Sequence, residues 1–465
     1  MEKSGRRKVI KNRLTFLTVA GVFFALTIFG TLLLLLPFAT MEGKSTSLMT
    51  AFFTALTSSC VTGNTIVDTS THWTPFGKLV ILLLTQLGGM GVITMVVFMV
   101  VVARRRFSMG QIFMLQDLFT MYTSDRVLKF FKRVFLGAVT IELLGAFAYM
   151  PSFISRFGVA RGIWYSVFTS VSAFCNSGLS VIHMDSLEPF NDDAAVLIIT
   201  MILVVIGGLG FVVWTDIGDM FRTAERKHRS LRQMMRRQIR GLKAHTKIVL
   251  RLSVFLILAG AGLTLLLEWN NPATLGSMSF GQKLLNSFFQ SVTCRSAGFS
   301  AISQTGLTDT SRFIDCIFMF IGGSPVGTAG GVKTVTIFVI LLNVRAFMKN
   351  QREVVYRGRR IPDTIVRKAI AIFTVQLSVS LVLCILLMAV SNVNMADAFY
   401  EMFSVVSTAG LTCGVTASVD TAGLWIVMIG MFVGRIGPIT MLLFFQTPSP
   451  GRNDVRHAEG KYIVG

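Results

Sequence analysis

Four stretches of the chain share one pattern. In each, an aromatic residue stands ten positions before a glycine, inside an apolar segment too short to cross a bilayer. The glycines are 115, 120 and 112 residues apart, so the repeat is regular. The four pairs are Phe53/Gly63, Phe168/Gly178, Phe288/Gly298 and Tyr400/Gly410. A fourfold repeat with a glycine in each unit can place four equivalent loops around one axis.

A second glycine cluster follows each of these glycines, at offsets of 25, 29, 24 and 24 residues. The clusters are Gly88-Gly89-Met90-Gly91, Gly207-Gly208-Leu209-Gly210, Gly322-Gly323-Ser324 and Gly434-Arg435-Ile436-Gly437. One small-residue segment alone is a weak signal, because such segments are common where helices pack. Four of them in register are a strong signal.

Composition places the chain in the membrane. It is 52% hydrophobic and 14% charged, with a mean hydropathy of +0.66, whereas soluble domains carry about 25% charged residues. The net charge of +21 lies in the loops between apolar runs and does not indicate nucleic acid. The six cysteines and five histidines show no metal-ligand spacing, and nothing resembles a catalytic nucleophile or a nucleotide loop. The chain is therefore predicted not to be an enzyme.

Apolar runs of about 20 residues predict membrane-spanning helices. Eight runs qualify: 14–37, 76–102, 132–157, 194–217, 248–269, 313–346, 365–391 and 421–446. One shorter segment lies between the members of each pair: 47–60, 162–175, 281–294 and 395–408. The predicted fold is an all-α membrane protein with four pseudo-repeats of helix, pore half-helix, filter loop and helix around a central pore. The filter loops are non-helical, and non-helical backbone is tolerated at membrane depth only where it lines a water-filled cavity or is buried in protein.

The repeats divide the chain into four predicted units. They are 1–103 with a basic N-terminus, 104–221, 222–346 with an intramembrane loop at 322–333, and 347–465 with a C-terminal tail. Connections between units are basic, and 222–251 alone has eleven Lys and Arg residues. They predict cytoplasmic connections and cytoplasmic termini in a multi-pass protein of the cell membrane. The loops within units lean acidic, with Asp68, Asp185, Glu188, Asp192, Asp193, Asp309 and Asp315, and are expected outside.

The third unit departs from the others because its second apolar run is rich in glycine from Gly322 to Lys333. Five glycines and a proline within ten residues cannot continue an α-helix. A mobile gate loop is favoured over a simple kink, and a phosphate-binding nest lacks the expected spacing. The predicted gate residues are Gly322, Gly323, Ser324, Pro325, Gly327, Thr328, Gly330, Gly331, Lys333 and Arg435.

Three ionisable residues lie in the apolar runs. Arg435 stands in the middle of the last run, where an arginine is costly, so it is expected to face the interior and either act on the permeation path, as a barrier to cations, or pair with a group there. Lys333 is expected to extend to the cytoplasmic edge. Glu142 is expected to make a polar contact between helices.

The loops that contain the first glycines are the predicted selectivity filter. Glycine permits backbone dihedrals that turn carbonyls inward, and rings of carbonyl oxygens replace the hydration shell of a cation. Each half-helix is expected to point its negative C-terminal end at the axis. The predicted K⁺ ligands are Val61, Thr62, Gly63, Asn176, Ser177, Gly178, Ser296, Ala297, Gly298, Thr408, Ala409 and Gly410.

In these filter glycines, the Gly322–Lys333 loop and the Gly434–Pro438 segment, the chain resembles the Trk/Ktr/HKT superfamily of potassium transporters over essentially its whole length. It is most similar to the bacterial KtrB branch, because its first span begins near residue 14. Serine at the first filter position is associated with sodium in the HKT branch, so Gly63 implies potassium. Asn64 and Leu179 make the units unequal, which implies a less symmetric filter of moderate selectivity.

The resemblance also implies partners. It implies a homodimer with one pore per subunit and a cytoplasmic ring of RCK-type regulatory subunits, the KtrA type, that binds ATP or ADP. No cofactor is expected in this chain; potassium is its substrate, and activation by sodium is left open. The basic loops and residues 451–465 are expected to contact the ring or anionic lipids.

The predicted function is thus potassium translocation through a filter, gated by an intramembrane loop and a cytoplasmic subunit. A secondary symporter that couples potassium to sodium or protons is the alternative. Parallel, equivalent repeats and a basic central ionisable residue favour the channel-like pore. A membrane enzyme or a scaffold lacks supporting residues.

Overall fold

The computed structural model describes residues 2–91, 124–184, 186–225, 242–438 and 441–442, and the regular secondary structure of this part of the chain is almost entirely helical. In chain order the helices are α1 (Glu2–Leu34), α2 (Leu48–Cys60), α3 (Thr69–His72), α4 (Pro75–Gly89), α5 (Ser124–Phe157), α6 (Val159–Phe174), α7 (Ala194–Gly208), α8 (Phe211–Glu225), α9 (Ala244–Glu268), α10 (Phe280–Thr293), α11 (Asp309–Phe320), α12 (Thr334–Met348), α13 (Asp363–Val390), α14 (Met395–Val406), α15 (Val415–Ser418) and α16 (Thr421–Ile436). Two 3₁₀ turns, Pro37–Ala39 and Glu188–Phe190, and one antiparallel hairpin, β1 (Val355–Tyr356) with β2 (Arg359–Arg360), complete it.

Long apolar helices open the units. Within the described residues, three segments are long and apolar enough to cross a membrane as single helices: Lys132–Phe157 of α5, α9 and α13. Helix α1 occupies the same place in the first unit and has 33 residues. These helices confirm the predicted all-α membrane fold.

Each opening helix is followed by a short helix that packs against it. These are α2, α6, α10 and α14, with 13, 16, 14 and 12 residues, and they match the four predicted half-helices. At 1.5 Å per residue, such helices reach roughly 20 Å and cannot cross a bilayer. The repeated aromatic residues Phe53, Phe168 and Tyr400 are fully buried and anchor these helices in the protein interior.

The second helix of each unit is shorter than predicted. Helix α4 ends at Gly89 and α16 ends at Ile436, so 76–102 and 421–446 are not continuous helices where the structure describes them. The glycine clusters explain the position of these ends. A Cβ on Gly88 would overlap the carbonyl oxygen of Ser59, and a Cβ on Gly434 would lie 2.5 Å from that of Val406. The second helix therefore stops where it presses against the end of the half-helix.

In the second and third units, the second helix is interrupted at its glycine cluster. The predicted straight span 194–217 is wrong, because α7 and α8 meet at an angle of 96° around Leu209 and Gly210. Gly210 has a φ of +88° and thus supplies a backbone conformation that other residues rarely adopt. In the third unit, residues 321–333 separate α11 from α12, as predicted. The third unit is therefore not the one exception: the second unit also breaks there.

The division into four units stays a prediction at its boundaries. The proposed limits at residues 221 and 346 fall within the last turns of α8 and α12, which end at Glu225 and Met348. The basic stretches at 104–123 and 226–241 and the tail 451–465 lie outside the described residues.

Candidate functional site

The four loops that follow the half-helices share one backbone conformation. In each loop, the residue two positions before the glycine has a positive φ: Val61 (54°), Asn176 (58°), Ser296 (75°) and Thr408 (49°). The glycine itself also has a positive φ: Gly63 (102°), Gly178 (70°), Gly298 (81°) and Gly410 (81°). The residue between them does not. Such alternation of positive and negative φ turns successive carbonyls toward the same side of the chain.

This conformation is unfavourable for the non-glycine residues. A left-handed φ costs roughly 1–3 kcal/mol for such residues and persists only where the surroundings enforce it. The same strain at one register position in four loops, each more than 100 residues from the next, indicates a shared requirement on the backbone.

The four glycines meet one another. A Cβ on Gly178 would lie 2.6 Å from the Cα of Gly298, and a Cβ on Gly298 would lie 3.3 Å from the Cα of Gly410. A Cβ on Gly410 would overlap the carbonyl oxygen of Thr62, and one on Gly63 would overlap that of Ser177. The loops therefore form a closed ring of four, with no room for a side chain at these positions. The structure brings together all four predicted segments.

Three of the loops share a backbone hydrogen bond, and the third loop differs. The amide before the glycine donates to the carbonyl five residues earlier in three loops: Thr62 to Thr57 (2.9 Å), Ser177 to Ser172 (2.8 Å) and Ala409 to Ser404 (2.7 Å). In the third loop, Ala297 donates to Thr293 (3.0 Å), four residues earlier. The ring is thus fourfold in shape but unequal in detail.

A cavity of about 80 Å³ opens on one side of the ring and touches all four glycines. We call it the mouth cavity. Polar groups line it, among them Asp68, Ser180, Gln304 and Thr412. Asp68, one of the acidic loop residues, therefore lies near the ring. Asp315 does not: it is buried in α11, so its assignment to a loop was wrong. Asp185 lies outside the described residues.

The glycine-rich segment 321–333 contacts the opposite side of the ring; we call it the glycine loop. The amide of Gly330 donates to Oγ of Ser296 (2.9 Å), and the same Oγ donates to the carbonyl of Thr408 (2.7 Å). A Cβ on Gly330 would lie 2.7 Å from the carbonyl oxygen of Ser407. The loop is therefore in direct contact with the third and fourth ring segments.

The glycine loop is also bonded to the bend between α7 and α8. The amide of Ser324 donates to the carbonyl of Gly208 (2.9 Å), and the amide of Phe211 donates to that of Val326 (2.8 Å). Because Gly208 belongs to the second glycine cluster of its unit, the clusters of the second and third units form one interlocked structure.

Arg435 faces the interior, as predicted, and joins three units. Its Nη1 donates to the carbonyl of Thr328 in the glycine loop (2.9 Å), while its Nη2 donates to the carbonyls of Gly89 (3.1 Å) and Gly88. The expectation for Lys333 was wrong, because its Nζ donates to the carbonyl of Ala329 (2.6 Å) rather than extending away. Free carbonyls of a non-helical loop provide acceptors that a helix would not.

Sequence reasoning missed a hydrogen-bonded brace behind the first ring segment. The Nδ2 of Asn64 donates to the buried carboxylate of Glu401 (2.7 Å), which also accepts from Thr412 (2.8 Å) and Thr416. A second brace was also missed: the Nε2 of Gln290 donates to Asp315 (2.8 Å). Neither brace has a local sequence signal.

The helix contact predicted for Glu142 is confirmed. The Nε2 of Gln86 in α4 donates a 3.0 Å hydrogen bond to its carboxylate on α5.

We expect Glu401→Gln to destabilise the protein by about 1–3 kcal/mol, because an amide nitrogen replaces one acceptor of the brace and leaves a buried donor unpaired. The check is a lower midpoint of thermal unfolding in detergent. Glu353→Gln is the matched control, since Glu353 makes an exposed ion pair with Arg360 that contributes little. Equal midpoints for the two variants would mean that the brace does not hold the ring.

The chain is similar to known cation transport proteins in both sequence and fold. The TrkH family model, described as a cation transport protein, matches residues 6–454. The chain is similar to the potassium/sodium uptake protein NtpJ of Enterococcus hirae (32% identity over 94% of both chains). It is also similar to Ktr system potassium uptake protein B of Bacillus subtilis (32%, over 95% of both) and of Vibrio alginolyticus (31%, over 100% of this chain and 97% of that one).

A solved structure shares the fold. The potassium transporter TrkH from Vibrio parahaemolyticus superimposes with a TM-score of 0.70 at 19% identity, over 93% of this chain and 85% of that one. This likeness shows the fold, and the match to the family model over residues 6–454 shows that the chain belongs to the TrkH family of cation transport proteins.

Proposed function

We propose that this chain carries potassium ions across the cell membrane through the ring of four loops, with the ring acting as a selectivity filter. The observation that carries the proposal is the repeated backbone: a left-handed residue two positions before a left-handed glycine, at the same register in four loops whose glycines touch. A closed ring of this kind can present several layers of carbonyl oxygens to one axis, in place of a cation's hydration water.

The half-helices add electrostatic support for a cation. Helices α2, α6, α10 and α14 all end directly before the ring, at Cys60, Phe174, Thr293 and Val406. The C-terminal end of a helix carries partial negative charge. Four such ends converging on one ring favour a cation at its centre and disfavour an anion.

Potassium is favoured over sodium as the substrate. Two of the three relatives are named as potassium uptake proteins, and the third as a potassium/sodium uptake protein. In the family's HKT branch, a serine hydroxyl at the first ring position accompanies sodium. This chain has Gly63 there and thus no hydroxyl, which favours potassium. Whether sodium also activates or accompanies potassium is decided by the flux experiment below.

The glycine loop is proposed as the gate and Arg435 as its latch. The loop lies against one side of the ring, and Arg435 ties it to the end of α4 through carbonyls of Thr328 and Gly89. An arginine held there also places a fixed positive charge beside the ring, which opposes the passage of cations.

Arg435→Met is expected to raise potassium flux several-fold, because it removes both the charge and the tie. Arg435→Lys separates the two causes: it keeps the charge, but a single ammonium cannot reproduce the fork that reaches Thr328 and Gly89. Flux into proteoliposomes measures both variants, with Arg360→Met, an exposed arginine of β2, as the control. Unchanged flux in a well-folded Arg435→Met variant would contradict the latch.

Partners are proposed on the family resemblance and on one surface. We propose a homodimer that works with a cytoplasmic RCK-type ring, with ATP or ADP bound by the ring and no cofactor in this chain. Phe347 and Met348 at the end of α12 are 86% and 80% exposed, so this end offers an apolar contact surface. Because α12 directly follows the glycine loop, a partner that moves α12 can move the loop.

The deciding experiment is potassium flux into proteoliposomes that contain the purified chain. A channel-like pore predicts that flux follows the potassium gradient and membrane potential whether or not sodium or a proton gradient is present. A symporter predicts flux that requires one of those gradients and stops when it is removed. No potassium flux under any gradient, from protein that is folded and inserted, would overturn the proposal.

A further inference from the structure

A second cavity, a narrow crevice with a volume of about 20 Å³, lies between α7 and α9, beside the third ring segment. We call it the α7–α9 crevice. Val204 and Val205 of α7 and Ile257 of α9 form its apolar walls, and Val292 and Arg295 at the end of α10 form its floor. Gly323 of the glycine loop also lines it. The crevice is therefore an apolar pocket with one cationic side chain.

Among the residues that the structure describes, Arg295 has no adequate partner. Its side chain is buried, with the residue 8% exposed, and its Nε is buried without a hydrogen-bond partner. Its guanidinium donates to the carbonyl and Oγ of Ser253 only at 3.5 and 3.4 Å, both at the long limit of a hydrogen bond. Within the described parts of the chain, no carboxylate forms an ion pair with it.

An unpaired arginine in such surroundings is energetically costly. Buried charges are normally paired, and in membrane proteins an unpaired ionisable group marks a place where something else supplies the counter-charge. The guanidinium fork matches the geometry of a phosphate, to which it can donate two parallel hydrogen bonds. The missing partner of Arg295 is therefore an anion.

The position of the crevice indicates where that anion comes from. Arg251 is exposed on α9 and stands two residues before Ser253, which corresponds to about 3 Å along the helix axis. Basic residues at a helix end mark the level of lipid headgroups. Beyond Ser253, α9 exposes Val254, Phe255 and Leu258, at 56%, 65% and 56%, as apolar surface for acyl chains. A polar group at headgroup level with an apolar wall above it suits an amphiphile.

We infer that the α7–α9 crevice binds one anionic phospholipid, with its phosphate on Arg295 and an acyl chain along Val205 and Ile257. The bound lipid neutralises the arginine and covers the open side of the crevice. Since Gly208 at the α7–α8 bend and Gly323 both line the crevice, the lipid also lies against the contact between the bend and the glycine loop. The inference concerns binding and does not depend on the ion that the protein carries.

The test is native mass spectrometry of the delipidated full-length protein in detergent, titrated with phosphatidylglycerol. We expect one phospholipid per chain to be retained at collision energies that strip the others. Arg295→Met is expected to weaken this retention at least about tenfold, because charge-assisted bonds to the phosphate are lost. Arg251→Met is the matched control: it removes an exposed interfacial arginine nearby and is expected to leave the retained lipid in place.

Two further arms keep the outcome decisive. Val205→Trp blocks the crevice from α7 and keeps the arginine at position 295, and it is expected to expel the lipid even if Arg295→Met fails to fold. Inorganic phosphate is titrated against phosphatidylglycerol in a thermal unfolding assay. Stabilisation by the lipid alone supports the inference, whereas equal stabilisation by inorganic phosphate means a site for a free anion and overturns the lipid. Equal lipid retention by the wild type, Arg295→Met and Val205→Trp overturns the site itself.

Discussion

Deletion of Ser324–Gly330 is expected to raise potassium flux at least about tenfold in the absence of any partner subunit. The glycine loop lies against the third and fourth ring segments through Gly330 and Ser296, so its removal opens that side of the ring. A tenfold change corresponds to about 1.4 kcal/mol, well within what a closed position held by several hydrogen bonds supplies. Flux into proteoliposomes, with and without the cytoplasmic partner, measures the change, and we expect the partner's effect to shrink.

A point variant provides an independent check, because a deletion can also leave a misfolded protein. Gly330→Ala adds a Cβ that would lie 2.7 Å from the carbonyl oxygen of Ser407 and should push the loop away from the ring. Gly262→Ala in α9 is the matched control, since nothing lies within 4 Å of its Cβ and its φ, like that of Gly330, is not positive. A monodisperse deletion variant that conducts no faster than the wild type would refute the gate.

The contacts of the glycine loop refine the physical reason for gating. Its glycines alone suggest a segment with little fixed structure, yet its backbone is bonded to the α7–α8 bend at Gly208 and Phe211 and to Arg435. Leaving the ring therefore requires several bonds to break together. Such an element has two discrete positions rather than a continuous range, which suits a switch moved by a partner acting on α12.

The sequence predicts the ring well because the signals for it are local and repeated. A half-helix is recognised by its length between two longer apolar runs, and each loop by a glycine where only a positive φ fits. The positive φ of Val61, Asn176, Ser296 and Thr408 has no signal of this kind. Valine and threonine disfavour that conformation, so only the tertiary contacts of the assembled ring explain it.

The breaks in the second helices were predicted only where composition marks them. The third unit shows its break through a proline and many glycines, but 194–217 has the composition of one apolar span, and its glycine cluster at 207–210 does not by itself reveal a bend of 96°. Hydropathy indicates that a segment prefers lipid or the protein interior. It does not indicate whether the helix axis changes direction within that segment. The bend at Gly210 depends on the glycine loop packing against it, more than 100 residues later in the chain.

The braces behind the ring were missed for a related reason. Asn64 and Glu401 are 337 residues apart, and a buried carboxylate in an apolar run gives no hint of its partner. Arg435 was placed in the interior correctly, because its cost in the membrane demands partners there. That those partners are the carbonyls of Gly89 and Thr328, rather than an acid, could not be read from sequence spacing.

Gly63→Ser is expected to lower the ratio of potassium to sodium flux by about tenfold, chiefly by admitting more sodium. A Cβ on Gly63 would overlap the carbonyl oxygen of Ser177 and lie 3.3 Å from the Cα of Gly410, so the first ring segment must shift outward. The residue also has to keep a φ of +102°, which strains a serine. A displaced carbonyl layer loses the spacing that suits potassium, and the added hydroxyl provides a ligand that serves sodium.

Gly414→Ser separates this effect from backbone strain alone. Gly414 follows the fourth ring segment and has a φ of +84°, but nothing lies within 4 Å of its Cβ. It is therefore expected to keep the wild-type flux ratio while carrying a similar strain. Competition between potassium and sodium in proteoliposomes measures the ratio for both variants. A Gly63→Ser variant that transports potassium with the wild-type ratio would show that the ring does not select the ion, and selection would then lie elsewhere along the axis.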